Sequence, residues 1–302
     1  MEKIIFSQYL KNQEVDKQLG SVLESLQSVV QKIAEAIKTA DTGKAGSTNV
    51  YGEEQLALDV LSDKMIQDEL KANPAVGLLA SEEMDDELKI GDGEYAVCYD
   101  PLDGSSLVDV NLAVGSIFGI YKTGTFLGRK GDEMLASLVA VYGPRTTILL
   151  TVKKGVVEFG LKGGEFVLTN ENIRIINDKK MFAPGNLRAC KTEEGYVKLM
   201  EYWMKEQYTL RYSGGMVPDI NQILLKGRGV FTYPGYAEMP EGKLRLLFEC
   251  NPMSLLVEQA GGKATNGKER ILELEAKEIS QRTPIFIGAI EEVDLAEKYL
   301  GG

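Results

Sequence analysis

The run Tyr95-Ala-Val-Cys-Tyr-Asp100-Pro-Leu-Asp103-Gly-Ser-Ser106 organises the chain. Its first five residues, Tyr95 to Tyr99, are apolar and predict a buried strand. The strand ends at Asp100 and is followed by a proline, a second aspartate, a glycine and two hydroxyl residues. Two carboxylates at a strand end supply hard oxygen ligands for a Mg²⁺-type ion, and a tight turn can direct the Leu102 carbonyl inward as another. Gly104 lets the backbone approach an anion closely, so the N–H groups of Gly104, Ser105 and Ser106 can point at phosphate oxygens. Upstream, Ser81-Glu82-Glu83 follows a second apolar run, Val76 to Ala80, and offers another carboxylate pair from an adjacent strand end. Asp-Pro and Asp-Gly are also ordinary turn dipeptides, and a Glu pair is usually solvated. Both pieces closing apolar runs within a short stretch of chain favours a metal and phosphate site.

Composition narrows the chemistry around that site. With 302 residues, 44% hydrophobic and 26% charged, the chain can bury an ample core in one large or two ordinary domains. No apolar run reaches membrane-spanning length. The N-terminus, Met1-Glu-Lys-Ile-Ile-Phe-Ser, has neither a signal-peptide core nor transit-peptide character, so a cytoplasmic location is expected. A net charge of −11 and the lack of a basic stripe argue against nucleic acid as a partner. Cys98, Cys190 and Cys250 are far apart in sequence and form no CxxC, which reads as reduced thiols. The chain contains no histidine. That excludes Ser-His-Asp, Cys-His and His-ligated zinc chemistry and leaves carboxylates, hydroxyls, Lys, Arg and metal ions.

Outward from the motif, Val15 to Ile37 carries a helical apolar stripe, read as core or an interface helix. Asp41 to Ser47 reads as a Gly-rich loop. A second helix follows, with Leu56, Val60, Leu61, Met65 and Leu70 expected to face in and Asp59 read on its own as a solvated acid. Strands are expected at Gly115–Tyr121 and across four segments between Met134 and Thr169. From about Met181 helices and strands alternate, which gives an α/β half after an α+β half. The expected domains are 1–180, carrying the metal and phosphate motif, and 181–302. In the second half, Lys243-Leu-Arg-Leu-Leu-Phe-Glu249 alternates and is expected to put Lys243, Arg245 and Glu249 on one face of a strand. Such a face is either a structural salt-bridge ladder or, beside a metal centre, a sugar-phosphate site.

Taken together these residues resemble the class I fructose-1,6-bisphosphatase family, within the wider lithium-sensitive, metal-dependent sugar phosphatases. The likeness runs from Ala45-Gly-Ser-Thr-Asn-Val50 to Ala260-Gly-Gly262, and its most specific stretch is Lys243 to Glu249 followed by Cys-Asn-Pro. Tyr208–Gln222, Phe182–Ala189 and Tyr142–Thr147 resemble the sedoheptulose-1,7-bisphosphatase branch. The resemblance implies a layered αβαβα sandwich and Mg²⁺-dependent hydrolysis of a ketose bisphosphate at C1, with Mn²⁺ as an alternative ion and about two or three ions per site. It implies that Glu82, Glu83, Asp100, Asp103, Glu249 and the Leu102 carbonyl hold metal. Glu83, Asp59 and Glu53 correspond to catalytic acids, the last two helping to activate the attacking water. Gly104, Ser105 and Ser106 would hold the scissile phosphate, and Lys243 and Met216 the sugar. Tyr196, Tyr212 and Tyr233 would bind the distal phosphate, with Arg211 reaching in from a neighbouring subunit of a dimer or tetramer.

The chain departs from the family pattern in places. Glu193 stands where a distal-phosphate Asn is usual, and Tyr233 resembles the fructose-specific enzymes. AMP-inhibited relatives have threonines where this chain has Asp16 and Gly20, a Lys-Tyr pair where it has Glu94-Tyr95, and an Arg where it has Lys122. Sedoheptulose 1,7-bisphosphate is the expected substrate, with fructose 1,6-bisphosphate or dual specificity as the alternative. Rival readings are an inositol-monophosphatase-like enzyme, a haloacid-dehalogenase-type phosphatase and a non-catalytic metal-binding protein. The two residues between Asp100 and Asp103 count against the second rival, whose aspartates are separated by one.

Overall fold

The motif run lies near one edge of a long sheet. A computed structural model describes residues 3–39, 44–48 and 54–301. Strands β1 (Lys44–Thr48) and β2 (Glu54–Leu56) pair as a small antiparallel ribbon. The main sheet comprises β3 (Val76–Ser81), β4 (Leu88–Lys89), β5 (Tyr95–Asp103), β6 (Val114–Lys122), β7 (Ala136–Tyr142), β8 (Thr146–Thr151), β9 (Val157–Lys162) and β10 (Glu165–Asn170). Its order is β10-β9-β8-β7-β6-β5-β3-β4, antiparallel except where β3 runs parallel to β5. A second sheet, β12-β11-β13-β15-β14, is built from β11 (Met181–Pro184), β12 (Thr209–Leu210), β13 (Val230–Tyr233), β14 (Lys263–Thr265) and β15 (Ile285–Gly288).

Alternation along the strands gives the main sheet two buried faces. Leu138 and Ala140 of β7 join one core, while Val139 and Val141 join another. The first core is closed by α1 (Phe6–Asn12), α2 (Lys17–Thr39) and α3 (Ala57–Lys71). The second lies between the sheets and is filled by α5 (Met216–Lys226) and α6 (Asn251–Gln259), which touch both. On the far side of the small sheet, α4 (Glu194–Lys205) packs on α7 (Ile290–Leu300). The layers therefore run α-β-α-β-α, the sandwich that the resemblance implies.

Several local readings shift. Helix α2 buries Leu19, Val22, Leu26, Val29, Val30 and Ile33, as its stripe predicts, but begins at Lys17 because Asp16 accepts the N–H groups of Gln18 and Leu19, both at 3.0 Å. Within the expected Gly-rich loop, Lys44–Thr48 is strand. Helix α3 turns Leu58, Asp59, Ser62, Ile66 and Leu70 inward and leaves Val60 42% exposed, so Asp59 is a buried acid instead of a solvated one. Strand β5 continues through both aspartates, with its register against β6 shifting between Asp100 and Asp103. The expected strand at Leu244–Phe248 is a π-helical turn, Leu246–Cys250. The N–H groups of Glu249 and Cys250 both reach the Arg245 carbonyl, closing the turn directly ahead of Asn251-Pro252 at the start of α6. Helix α5 comes close to the sheet because β6 presents Gly115, where an added Cβ would stand 2.3 Å from Val217 Cγ1.

Candidate active site

Three chain segments deliver the acids. The end of β5 carries Asp100 and Asp103, and the π-helical turn carries Glu249. The turn is tied to β5 by the Cys98 thiol, which donates to the Leu247 carbonyl at 3.4 Å. Oxygens of Asp100, Asp103 and Glu249 lie within 4.8 Å of one another, and all three residues are buried. Each carboxylate is fixed by a backbone donor. Asp100 accepts the Leu102 N–H at 2.8 Å, Asp103 accepts the Val217 N–H at 2.7 Å, and Glu249 accepts the Arg245 N–H at 2.5 Å. The Asp103 contact satisfies an otherwise unpaired donor at the start of α5 and ties that helix to β5 at the site.

Burial above all holds these carboxyls above the usual carboxylate range. Asp103 is pushed up to about 6, although the N–H of Val217, the Lys243 ammonium and the N–H of Met216 pull the other way. Asp100 and Glu249 are raised well above their ordinary values by burial first and then by the negative charge of Glu82. An all-oxygen, buried and mutually repelling donor set fits a hard divalent cation, whose charge reverses each of these effects.

The acids open onto a cleft of about 280 Å³. Asp59, Glu82, Glu83, Leu102, the Gly104-Ser105-Ser106 turn, Tyr212, Met216, Tyr233 and Lys243 line it as well. Gly104 takes φ 76°, the left-handed turn that a non-glycine residue resists, and a single 3₁₀ turn, Ser105–Val110, follows. Behind Glu83, a chain of bonds fixes the strand end. The Glu83 N–H donates to Ser81 Oγ at 3.2 Å, Ser81 Oγ to Asp63 Oδ1 at 2.7 Å, and Tyr99 to the same oxygen at 2.9 Å.

Three expected site residues are placed elsewhere, and a fourth, Glu53, lies outside the described residues. Tyr196 is fully buried, its hydroxyl 2.8 Å from Thr232 Oγ1. Arg211 is exposed and donates to the carbonyl of its own neighbour Leu210. Arg245 is 2% exposed and sits 3.7 Å from Glu82; the chain bends at Lys243 and Leu244, ahead of the π turn, so the two cations do not share one strand face. Glu193, the departure from the family pattern, lines a separate cavity with Pro234 and Tyr236.

Sequence reasoning missed Gly214, Gly215, Phe231 and Leu244 in the wall, and the supports Asp63, half-buried, and Asp219, buried. Both Asp219 oxygens accept the Ser213 N–H, at 3.0 and 3.1 Å, fixing the loop that carries the glycine pair. The glycine pair was visible in Leu210–Met216, and Asp63 stands one helical turn beyond Asp59.

Comparison with known proteins agrees with this geometry. The family model "Fructose-1-6-bisphosphatase, N-terminal domain" matches residues 1–171, and the corresponding C-terminal domain model matches residues 175–301. The class 1 fructose-1,6-bisphosphatase of Syntrophotalea carbinolica is 46% identical over 299 residues, covering 98% of this chain and 93% of that protein. The chloroplastic sedoheptulose-1,7-bisphosphatase of Spinacia oleracea is 39% identical over 301 residues, covering 98% of this chain and 77% of that one. The crystal structure of Leishmania major fructose-1,6-bisphosphatase in holo form superposes with a TM-score of 0.94 at 33% identity over 100% of both chains. With the two family models together matching residues 1–171 and 175–301 and relatives 46% identical over nearly its whole length, the chain belongs to the fructose-1,6-bisphosphatase family of metal-dependent sugar-bisphosphate phosphatases.

Proposed function

We propose that the chain hydrolyses the C1 phosphate of a ketose bisphosphate with Mg²⁺, fructose 1,6-bisphosphate being the principal substrate. The observation that carries this reading is one cleft lined both by the buried acids and by Tyr212, Tyr233 and Lys243. An inositol monophosphate, with one phosphate, would leave the hydroxyls and the ammonium of these residues without a second phosphate to bind. The expectation of sedoheptulose 1,7-bisphosphate as the main substrate gives way here, because the 46% identical relatives are named class 1 fructose-1,6-bisphosphatases. Sedoheptulose 1,7-bisphosphate stays as a second substrate, supported by the Tyr208–Gln222 and Phe182–Ala189 stretches and by the spinach relative.

Asp100, Asp103, Glu249, Glu82, Glu83 and the Leu102 carbonyl would hold the ions, about two or three of them. When bound, Mg²⁺ supplies Lewis acidity that neutralises the phosphoryl oxygens and stabilises the leaving alkoxide. The residues do the positioning. The Gly104–Ser106 turn grips the scissile phosphate through its N–H groups. Asp59 helps to activate the attacking water, with Glu53 as the further acid in this role and Glu83 as the catalytic acid at the ions. Lys243 and Met216 orient the sugar. Arg211, exposed beside edge strand β12, serves a neighbouring subunit of a homo-oligomer. Steady-state phosphate release from both bisphosphates, with inositol monophosphate as control, tests the reading. At least a hundredfold higher kcat/KM for fructose 1,6-bisphosphate than for the control is expected, about 2.7 kcal/mol of discrimination. Equal or better use of the control defeats it.

A further inference from the structure

We propose that Arg188 binds the distal phosphate of the substrate within the same subunit, a role that rests on the bisphosphate reading above. A second cavity, of about 580 Å³, adjoins the acidic cleft and shares Tyr212, Tyr233 and Lys243 with it. It adds Arg188 and Arg282, and no carboxylate is among the described residues that line it. In a chain of net charge −11, a cation-lined cavity running on from a carboxylate-lined cleft divides the site into a metal end and an anion end. That division suits a substrate with a phosphate at each terminus.

Of the two arginines Arg188 is exposed and Arg282 half-buried, and several neighbouring donors are already engaged. The Tyr212 hydroxyl donates its one proton to the Gly185 carbonyl at 3.0 Å. The Tyr196 hydroxyl is buried against Thr232, away from the cavity. The Asn186 amide donates to the Pro234 carbonyl at 2.9 Å, and Arg211 lines neither cavity. A phosphate dianion presents three acceptor oxygens, and a guanidinium answers two of them in one plane. Arg188 is exposed on the 3₁₀ turn Leu187–Lys191 directly after β11. The approach to that turn is pinned by Gly185 N–H to the Thr232 carbonyl at 2.7 Å and by the Asn186 bond, so the turn is held in place while the side chain stays free to close on an anion.

The test is steady-state kinetics of the wild type, Arg188→Ala and Arg188→Lys in Mg²⁺. The substrates are fructose 1,6-bisphosphate, sedoheptulose 1,7-bisphosphate and fructose 1-phosphate, the last having no distal phosphate. Arg188→Ala is expected to raise KM for the bisphosphates about ten- to a hundredfold with kcat within about threefold. Arg188→Lys recovers part of that loss, because the charge remains and the fork does not. Turnover of fructose 1-phosphate stays at the wild-type level. An unchanged KM for the bisphosphates, or an equal loss on fructose 1-phosphate, overturns the role of Arg188 and leaves the phosphatase reading standing. No turnover of either bisphosphate by the wild type overturns that reading and the subsite with it.

Discussion

Asp103 serves two structures at once, as one of three clustered acids and as the acceptor for the first turn of α5. Asp103→Asn keeps the shape and one acceptor oxygen but removes the charge. Loss of Lewis-acid stabilisation costs several kcal/mol, so kcat is expected to fall by orders of magnitude while the far-ultraviolet circular dichroism stays native. Glu249→Gln should behave alike, because both groups face the same ions. Near-normal turnover of either variant at saturating Mg²⁺ refutes the assignment. The raised carboxyls also predict a pH dependence. Their pKa values are higher in the folded state, so the fold holds extra protons between the ordinary carboxylate range and, for Asp103, about 6. Metal-free stability therefore falls as pH rises through that window. Mg²⁺ must displace protons at the acid end and only relieve repulsion at the alkaline end. Scanning calorimetry should show a larger Mg²⁺-induced rise in Tm near about pH 8 than near about pH 5. At this scale the acids were legible because chain spacing alone brings Asp100 and Asp103 together. Arg245 was not, because its place depends on how the backbone turns.

Among the elements, amphipathic stripes carried most of the information. Helix α2 shows its buried face in the spacing of Leu19, Val22, Leu26 and Val30. The π-helical turn misled because Lys243 to Glu249 alternates with the period of a strand, while the bonds to the Arg245 carbonyl that set the turn leave no mark in that pattern. Helix α3 was rotated from its expected face because Asp59 and Ser62 occupy inward positions that polarity assigns to solvent. The start of α2 bears on regulation. Asp16 already satisfies the N–H groups there and accepts the Tyr95 hydroxyl at 2.7 Å. Lys122 is paired with Glu94 at 2.9 Å and lies 4.4 Å from the centre of the Tyr95 ring. A carboxylate thus fills the position where an anion would otherwise dock, and a second one occupies the nearby cation. AMP at millimolar concentration is expected not to inhibit. A low-micromolar inhibition constant in a steady-state assay would show that this end of the chain has been misread.

At the scale of the molecule, the layered arrangement places the site between the main sheet and the helix layer that separates it from the small sheet, with β5 on one side and α5 and the π turn on the other. The alternation of helices and strands in the second half conveyed the sandwich. Which residues reach across it was set by packing, such as the approach of Val217 over Gly115, and lay beyond a reading of spacing. If Arg211 serves a neighbouring site, Arg211→Ala raises KM more than it lowers kcat. Mixed oligomers of Arg211→Ala and Asp103→Asn subunits then regain turnover at low substrate concentration that neither variant shows alone. Full activity in a monomer would rule that sharing out. The most direct measurement for the whole account is phosphorus NMR of fructose 1,6-bisphosphate turned over by the wild-type protein, with and without Mg²⁺. The account predicts fructose 6-phosphate and inorganic phosphate as the products, formed only when Mg²⁺ is present. Accumulation of fructose 1-phosphate, or release of phosphate that continues after the divalent ion is chelated, would contradict it.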